Sequence, residues 1–150
     1  MARVYVSSVI GAPVEQVWKY VRDFNGLPKW SARVTDSKIE SGMSSDQVGC
    51  VRNLGLEGGQ RIREQLVALS DANHSWTYRM LEGPPPISNY VPTFRLWPVT
   101  DGDRTFIEGA VRFDCAKERE DELIASVAKT YQTAFDRLKK YFENAKGATA

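Results

Sequence analysis

The stretch Cys50-Val-Arg-Asn-Leu-Gly-Leu-Glu-Gly-Gly-Gln-Arg-Ile-Arg-Glu-Gln-Leu66 decides how this chain folds. Two runs with β-type alternation flank the glycines of Glu57-Gly58-Gly59, which is typical of an antiparallel hairpin. A turn at this point predicts three facing pairs: Leu54 with Ile62, Arg52 with Glu64, and Cys50 with Leu66. Because the spacing within each run is even, these side chains share one face of the sheet.

Further short β-type runs lie on both sides of this hairpin, separated by turns rich in Gly, Asp, Asn and Pro. We predict strands over Arg3–Ile10 and near 33–41, 47–55, 60–69, 75–82, 89–98 and 104–115. Connections this short favour sequential antiparallel neighbours. Continuing the register predicts Leu66 opposite Tyr78, Glu64 opposite Met80, Ala68 opposite Trp76, Tyr78 opposite Phe94, Trp76 opposite Leu96 and Glu82 opposite Tyr90, with Ile107, Gly109, Val111 and Phe113 on the same face.

Helical patterns lie at the two ends of this β-rich region. Pro13 is suited to the first position of a helix, and apolar residues recur at helical spacing from Val14 to Val21, with a second short turn before Trp30. Residues 117–145 lack Gly and carry an apolar stripe, typical of a long helix. The stripe contains Leu123, Val127, Ala134, Leu138 and Tyr141, widened by Ile124, Tyr131, Phe135 and Phe142. The order of elements predicts an α+β fold with one antiparallel sheet and helices on one side.

Length and charge exclude several classes of protein. The chain has 150 residues, 20 Lys+Arg and 19 Asp+Glu, which fits one domain over 1–145 followed by a loose tail at 146–150. A net charge of +1 argues against a nucleic-acid binder, because phosphate neutralisation needs a basic face. The chain lacks an apolar run long enough to span a bilayer, and its start lacks the apolar stretch of a signal peptide. We therefore expect a cytoplasmic protein.

The cysteines, the histidine and the sequence motifs restrict the kinds of metal, cofactor and catalytic site that we expect in this chain. Cys50 and Cys115 lie far apart and outside metal-type spacing, so we expect two free thiols in a reducing compartment. The single histidine, His74, lies in a turn-like stretch. One histidine offers little support for a metal site or a histidine-based triad. The sequence carries no nucleotide fingerprint, phosphate loop or redox motif. We expect neither a metal nor a cofactor.

The predicted inner face is mostly large and apolar, yet it includes charged groups. A lone buried charge is costly, so Arg52 and Glu64 on that face imply pairing or water. One interpretation is a structural ion pair in a filled core, or a register slip that places both residues outside. The other is a cavity between the sheet and the long helix, because binding pockets combine apolar walls with a few polar groups. The residue pattern alone leaves both open.

The sequence resembles the START-like, helix-grip (SRPBCC) superfamily, and is most similar to its bacterial polyketide cyclase/dehydrase and lipid-transport branch. The resemblance runs in family order over nearly the whole chain. The matching stretches are Ala12–Trp18, Asp23–Trp30, Val48–Arg52, Arg63–Leu66, Tyr78–Pro84 and Thr105–Glu108. It implies a seven-stranded antiparallel sheet curled around a long C-terminal helix, with two short helices after the first strand. Because this fold hosts many functions, it indicates the architecture more specifically than the activity.

The resemblance also implies a ligand cavity between sheet and helix, which favours the second interpretation of the inner face. The candidate ligand-binding residues are Trp30, Arg52, Glu64, Leu66, Trp76, Tyr78, Met80, Tyr90, Phe94, Leu96, Val127, Tyr131 and Ala134. Loops 55–59 and 83–88 resemble the entrance loops of the related plant hormone receptors, although both also suit plain hairpin connections. Gly109 departs from the family, since relatives often carry tryptophan there; it would enlarge the pocket or ease sheet curvature.

These expectations support three hypotheses of function. The leading one is binding of a small hydrophobic or amphipathic molecule, lipid-, isoprenoid- or polyketide-like, with Arg52 anchoring an anionic oxygen. The alternative is a cofactor-independent cyclase or dehydratase that uses acid–base catalysis in the same cavity. Its candidate catalytic residues are Glu82, Glu64, Tyr78 and Tyr90. Pairing with Arg52 lowers the pKa of a carboxyl group, so Glu82 is the better base of the two acids.

A protein-interaction module ranks third, because the predicted outer face is mostly polar. The sequence leaves a homodimer open, and it does not identify the ligand.

Overall fold

A computed structural model describes the backbone of residues 1–149 and the side chains of residues 1–146. The strands are β1 (Ala2–Ile10), β2 (Val34–Ile39), β3 (Val51–Leu56), β4 (Arg61–Ser70), β5 (Ser75–Glu82), β6 (Ser88–Val99) and β7 (Arg104–Asp114). The helices are α1 (Val14–Val21) and α2 (Glu120–Thr149), with short 3-10 helices at Leu27–Lys29, Glu40–Gly42 and Lys117–Arg119. The predicted tail at 146–150 falls largely outside the described side chains and stays a prediction.

The seven strands form one antiparallel sheet in the order β1-β7-β6-β5-β4-β3-β2. The long helix α2 packs on this sheet, and its buried stripe includes Leu123, Val127, Ala134 and Leu138. This confirms the predicted α+β helix-grip architecture. The prediction for Tyr141 is wrong, because 46% of this residue is exposed while its neighbour Phe142 is buried.

The hairpin between β3 and β4 forms as its sequence predicts. Gly58 and Gly59 have φ angles of 89° and 88°, in the left-handed region that glycine tolerates best. The turn sets Leu54 opposite Ile62 and Arg52 opposite Glu64. Cys50 joins Leu66 through a backbone hydrogen bond of 2.9 Å. The two inner-face charges are therefore direct cross-strand neighbours, which excludes the register slip.

The predicted register fails at two places further along the sheet, at an irregularity between β4 and β5 and in the ladder between β5 and β6. Leu66 faces Tyr78 and Glu64 faces Met80 as predicted, but a shift between Leu66 and Ala68 places Ala68 opposite Thr77. The ladder between β5 and β6 then runs from Ser75–Arg95 to Thr77–Thr93, so Trp76 faces Phe94 and not Leu96. The predicted pairs Tyr78–Phe94 and Glu82–Tyr90 are wrong because the connection between β5 and β6 sets a register two residues away from the predicted one.

Gly109 on β7 provides room for an aromatic ring. A Cβ atom at this position would lie 2.6 Å from Cε1 of Phe94, the residue directly opposite on β6. The space that a side chain would take is therefore filled by the Phe94 ring. The expectation that Gly109 enlarges the pocket is wrong, because its neighbour occupies that volume.

The core has two parts. The main cluster joins the inner sheet face to α1 and α2, whereas a smaller one contains Val34, Leu54 and Leu56. Cys50 and Cys115 are free thiols, as predicted. In the described part of the chain, helices that combine the length and the apolar character needed to cross a membrane are absent.

Candidate functional site

A cavity of about 170 Å³ lies where the inner sheet face and α2 meet, between the two parts of the core. Side chains from the sheet, α2 and the segment that follows α1 line it. Most of the residues singled out from the sequence are among them. These are Trp30, Arg52, Glu64, Trp76, Tyr78, Met80, Tyr90, Phe94, Val127, Tyr131 and Ala134. The cavity can hold several water molecules or a compact organic group.

Three of the sequence candidates lie elsewhere. Leu66 and Leu96 are each only 1% exposed and pack within the main core. Glu82 is exposed at the end of β5, and its Oε1 accepts a hydrogen bond of 2.7 Å from Arg63. The preference for Glu82 as the base in the cavity is therefore wrong. The shifted register of β4 and β5 places Glu82 opposite Arg63, on the other face from Glu64.

Arg52 and Glu64 form a buried ion pair in the cavity wall, and they are only 3% and 5% exposed. Nε and Nη2 of Arg52 both donate to Oε1 of Glu64, at 3.0 and 2.8 Å, and Nη1 donates to the Phe24 carbonyl at 2.8 Å. The Cζ atom lies 3.9 Å from the centre of the Phe24 ring and 4.6 Å from that of Tyr78. The guanidinium is thus bonded along its edge and flanked by two aromatic rings.

Burial dominates the electrostatics of Glu64. Desolvation raises the pKa of this carboxyl group above its ordinary value of 4.5, although the charge and hydrogen bonds of Arg52 oppose the shift. From the sequence, the lowering effect of Arg52 on this pKa was given more weight than desolvation, because the depth of burial could not be known. The bonds from Arg52 converge on Oε1, so the other oxygen lies outside them.

Three tyrosine hydroxyls form a chain across the cavity. Tyr131 of α2 lies between the other two: its hydroxyl is 3.0 Å from that of Tyr78 and in short contact with that of Tyr90. Desolvation raises the pKa of all three phenols, so they stay protonated and neutral over the physiological range. Two contacts between three hydroxyls use two of their three protons. One O–H therefore remains to donate to water or to a bound molecule.

The aromatic wall of the cavity contains a hydrogen-bond donor without a partner. The rings of Trp76 and Phe94 stack with centroids 4.9 Å apart, and Trp30 meets Trp76 edge-on at 6.4 Å. The indole N–H of Trp30 is buried without a hydrogen-bond partner. Buried polar groups are nearly always paired, so this donor is an uncommon feature of the cavity wall.

Much of one side of the cavity was not singled out as ligand-binding from the sequence, although the loops 55–59 and 83–88 contain three of its residues, Leu56, Pro84 and Ile87. This side is built by the end of α1 and the segment after it, the start of β2, the β3–β4 hairpin, the loop after β5 and one residue of α2. Its members are Val21, Asp23, Phe24, Leu27, Ser31, Arg33, Val34, Leu54, Leu56, Ile62, Pro84, Ile87 and Thr130. Leu54 and Ile62 lay on the predicted inner face, so strand parity could have identified them. The short turns around Leu27 and Arg33 have no periodicity from which a direction could be predicted.

The protein is thus a small α+β domain with an internal cavity between its sheet and its long helix. Comparison with known proteins identifies the group. The family described as "Polyketide cyclase / dehydrase and lipid transport" matches residues 1–143, and the chain belongs to that family.

Solved structures share this fold over almost their full length. The protein XoxI from Bacillus cereus is 27% identical, with a TM-score of 0.87, and the match covers 97% of this chain and 99% of that one. A protein from Nitrosospira multiformis is 30% identical, with a TM-score of 0.79 and coverage of 93% and 95%. A protein described as uncharacterized, from Bacillus thuringiensis, is 28% identical, with a TM-score of 0.84 and coverage of 94% and 98%.

Proposed function

We propose that this protein binds a small hydrophobic or amphipathic molecule, of lipid-, isoprenoid- or polyketide-like chemistry, in the cavity between its sheet and α2. The observation that carries the proposal is a largely apolar, aromatic-walled cavity of about 170 Å³, whose wall holds an indole N–H without a partner and one tyrosine O–H left over from the hydroxyl chain. Apolar contact would supply the affinity, since about 200 Å² of buried apolar surface contributes about 5 kcal/mol. The free thiols Cys50 and Cys115 support the cytoplasm as its compartment.

The hydrogen-bond donors without partners indicate which acceptor groups the ligand carries. The Trp30 indole N–H and one O–H of the tyrosine chain both need acceptors, so a ligand with carbonyl, ether or hydroxyl oxygens suits the wall. Arg52 is less suited to the anchoring role expected from the sequence. Glu64 already balances its charge, and an incoming anion at that depth would meet a neutral pair.

Native mass spectrometry of freshly purified protein tests the proposal, followed by denaturing extraction of any adduct. A discrete adduct, lost on denaturation, would support it and give the mass of the ligand. A matched pair of variants on α2 then locates the site. Ala134→Phe fills the cavity, whereas Ala125→Phe alters an exposed position of the same helix. The adduct should disappear only from the first; loss from both or neither would contradict the proposed site.

A cofactor-independent cyclase or dehydratase is the second candidate, and Glu64 favours it. A dehydratase removes a proton from one carbon and protonates the hydroxyl that leaves from the next. A buried carboxyl group with a raised pKa, near a neutral phenol such as Tyr78, offers both functions. Turnover of polyketide-like compounds that is lost in Glu64→Gln and retained in Glu82→Gln would support this candidate.

A further inference from the structure

The polar surroundings of the cavity differ sharply between its depth and its mouth. At depth, Arg52 is neutralised by Glu64 and enclosed by aromatic rings. Towards the mouth, the exposed residue Arg33 also lines the cavity. Among residues 1–146, Arg33 has neither an ion pair nor a side-chain hydrogen bond. Its positive charge therefore remains available to a bound molecule.

A second depression adjoins the cavity at Arg33. The two share Ser31, Arg33, Thr130 and Ala134, so they lie side by side. We call this depression the vestibule; it is lined by Ser31, Ala32, Arg33, Ser126, Lys129, Thr130, Thr133 and Ala134. Its lining thus comprises two cations, four hydroxyl side chains and two alanines. This composition is the opposite of the apolar cavity wall.

We infer that the ligand of this site is an amphipathic anion, with its apolar body in the cavity and its acidic head in the vestibule between Arg33 and Lys129. The inference rests on the proposed function and adds the charge of the ligand and its orientation. Cations and hydroxyl donors with no carboxylate among the vestibule lining favour a carboxylate, sulfonate or phosphate group. The exposed mouth lets the head keep part of its hydration, which a charge at the depth of Arg52 would lose.

Two fluorescent probes of nearly equal shape test the inference. 1-Anilinonaphthalene-8-sulfonate carries an anionic group, whereas N-phenyl-1-naphthylamine has the same aromatic body without it. The test variant is Arg33→Gln/Lys129→Gln. The control is Arg3→Gln/Arg112→Gln, which removes the same charge from exposed, directly facing positions of β1 and β7.

In titrations, the test variant should bind the sulfonate about tenfold more weakly and the neutral probe within about twofold of the unaltered protein. The control should bind both probes as the unaltered protein does, and high salt should weaken the sulfonate preference. Equal sulfonate affinity in test and control variants, with both probes bound, would overturn the inference and leave the proposed function standing. If neither probe binds and native mass spectrometry finds no adduct, the proposed function fails, and this inference with it.

Discussion

Arg52 and Glu64 face each other directly across β3 and β4, and two guanidinium nitrogens donate to the same carboxylate oxygen. The pair is almost fully buried at the wall of the cavity. In such a place each charge depends on the other, because a lone charge would be left without water. The pair therefore fixes two neighbouring strands beside the site and contributes no net charge to it.

Removing one member of this pair should destabilise the fold. Arg52→Met leaves a buried carboxylate without its cation, so we expect the free energy of unfolding in urea to fall by about 3–5 kcal/mol. Arg52→Met/Glu64→Met should recover most of the loss. The control is Arg61→Met, because its ion pair with Asp36 is exposed and should contribute less than about 1 kcal/mol. An effect of Arg52→Met no larger than that of the control would contradict this account.

The same carboxyl group should make stability depend on pH. Burial raises the pKa of folded Glu64 above 4.5, so the folded state holds this proton to a higher pH than the unfolded chain does. The stability that results is fully present below the pKa of Glu64 in the unfolded chain, and it is lost as the pH rises through the pKa of Glu64 in the folded state. Relative to Glu64→Gln, the unaltered protein should thus lose up to about 1.4 kcal/mol per pH unit in that window. The control is Glu57→Gln at an exposed position, whose free energy of unfolding should follow the same pH dependence as that of the unaltered protein. If the difference in unfolding free energy between the unaltered protein and Glu64→Gln does not change with pH, the raised pKa is disproved.

The tyrosine chain predicts a cost for removing its central hydroxyl. Tyr131→Phe leaves the hydroxyls of Tyr78 and Tyr90 without the partner that they share. We expect a loss of about 1–3 kcal/mol in thermal or chemical unfolding, since buried hydroxyls are left unpaired. Tyr141→Phe on the same helix is the matched control, because Tyr141 is 46% exposed and should change little. Equal effects would show that water replaces the missing hydroxyl in the cavity.

Adding a side chain at Gly109 should lower the stability of the fold for a purely steric reason. In Gly109→Ala the new methyl group would meet the Phe94 ring at 2.6 Å, in a part of the core that is fully buried. Overpacking of this kind costs about 1–3 kcal/mol. Adding Phe94→Leu should relieve the clash, so the double variant should lose less stability than the sum of the single changes. Strict additivity in urea unfolding would argue against the contact.

Local sequence rules predicted those parts of the site that a single hairpin specifies. The alternation around Gly58 and Gly59 was sufficient to pair Arg52 with Glu64, because parity and turn length fix the register there. The prediction failed where irregular pairing intervenes. The shift in pairing after Leu66 places Ala68 opposite Thr77 and not opposite Trp76. The alternation of apolar and polar residues does not indicate where such a shift occurs.

Other features depend on tertiary burial or on irregular backbone. The raised pKa of Glu64 follows from how completely the fold covers it, which the sequence pattern does not express. Arg33 lies in a short connection before β2, where the direction of a side chain has no period. The mouth of the cavity was therefore the least predictable part of the site, while the strands beneath it were the most predictable.

The aromatic wall has an optical consequence. Of the four tryptophans, Trp30 and Trp76 line the cavity, whereas Trp97 is 42% exposed and stacks on Arg95. Any naphthyl or polyene compound that absorbs near indole emission would accept excitation energy from the two wall residues at contact range. The intrinsic fluorescence of the unlabelled protein should thus report whether the cavity is occupied, and Trp97→Phe would lower the background without altering the wall.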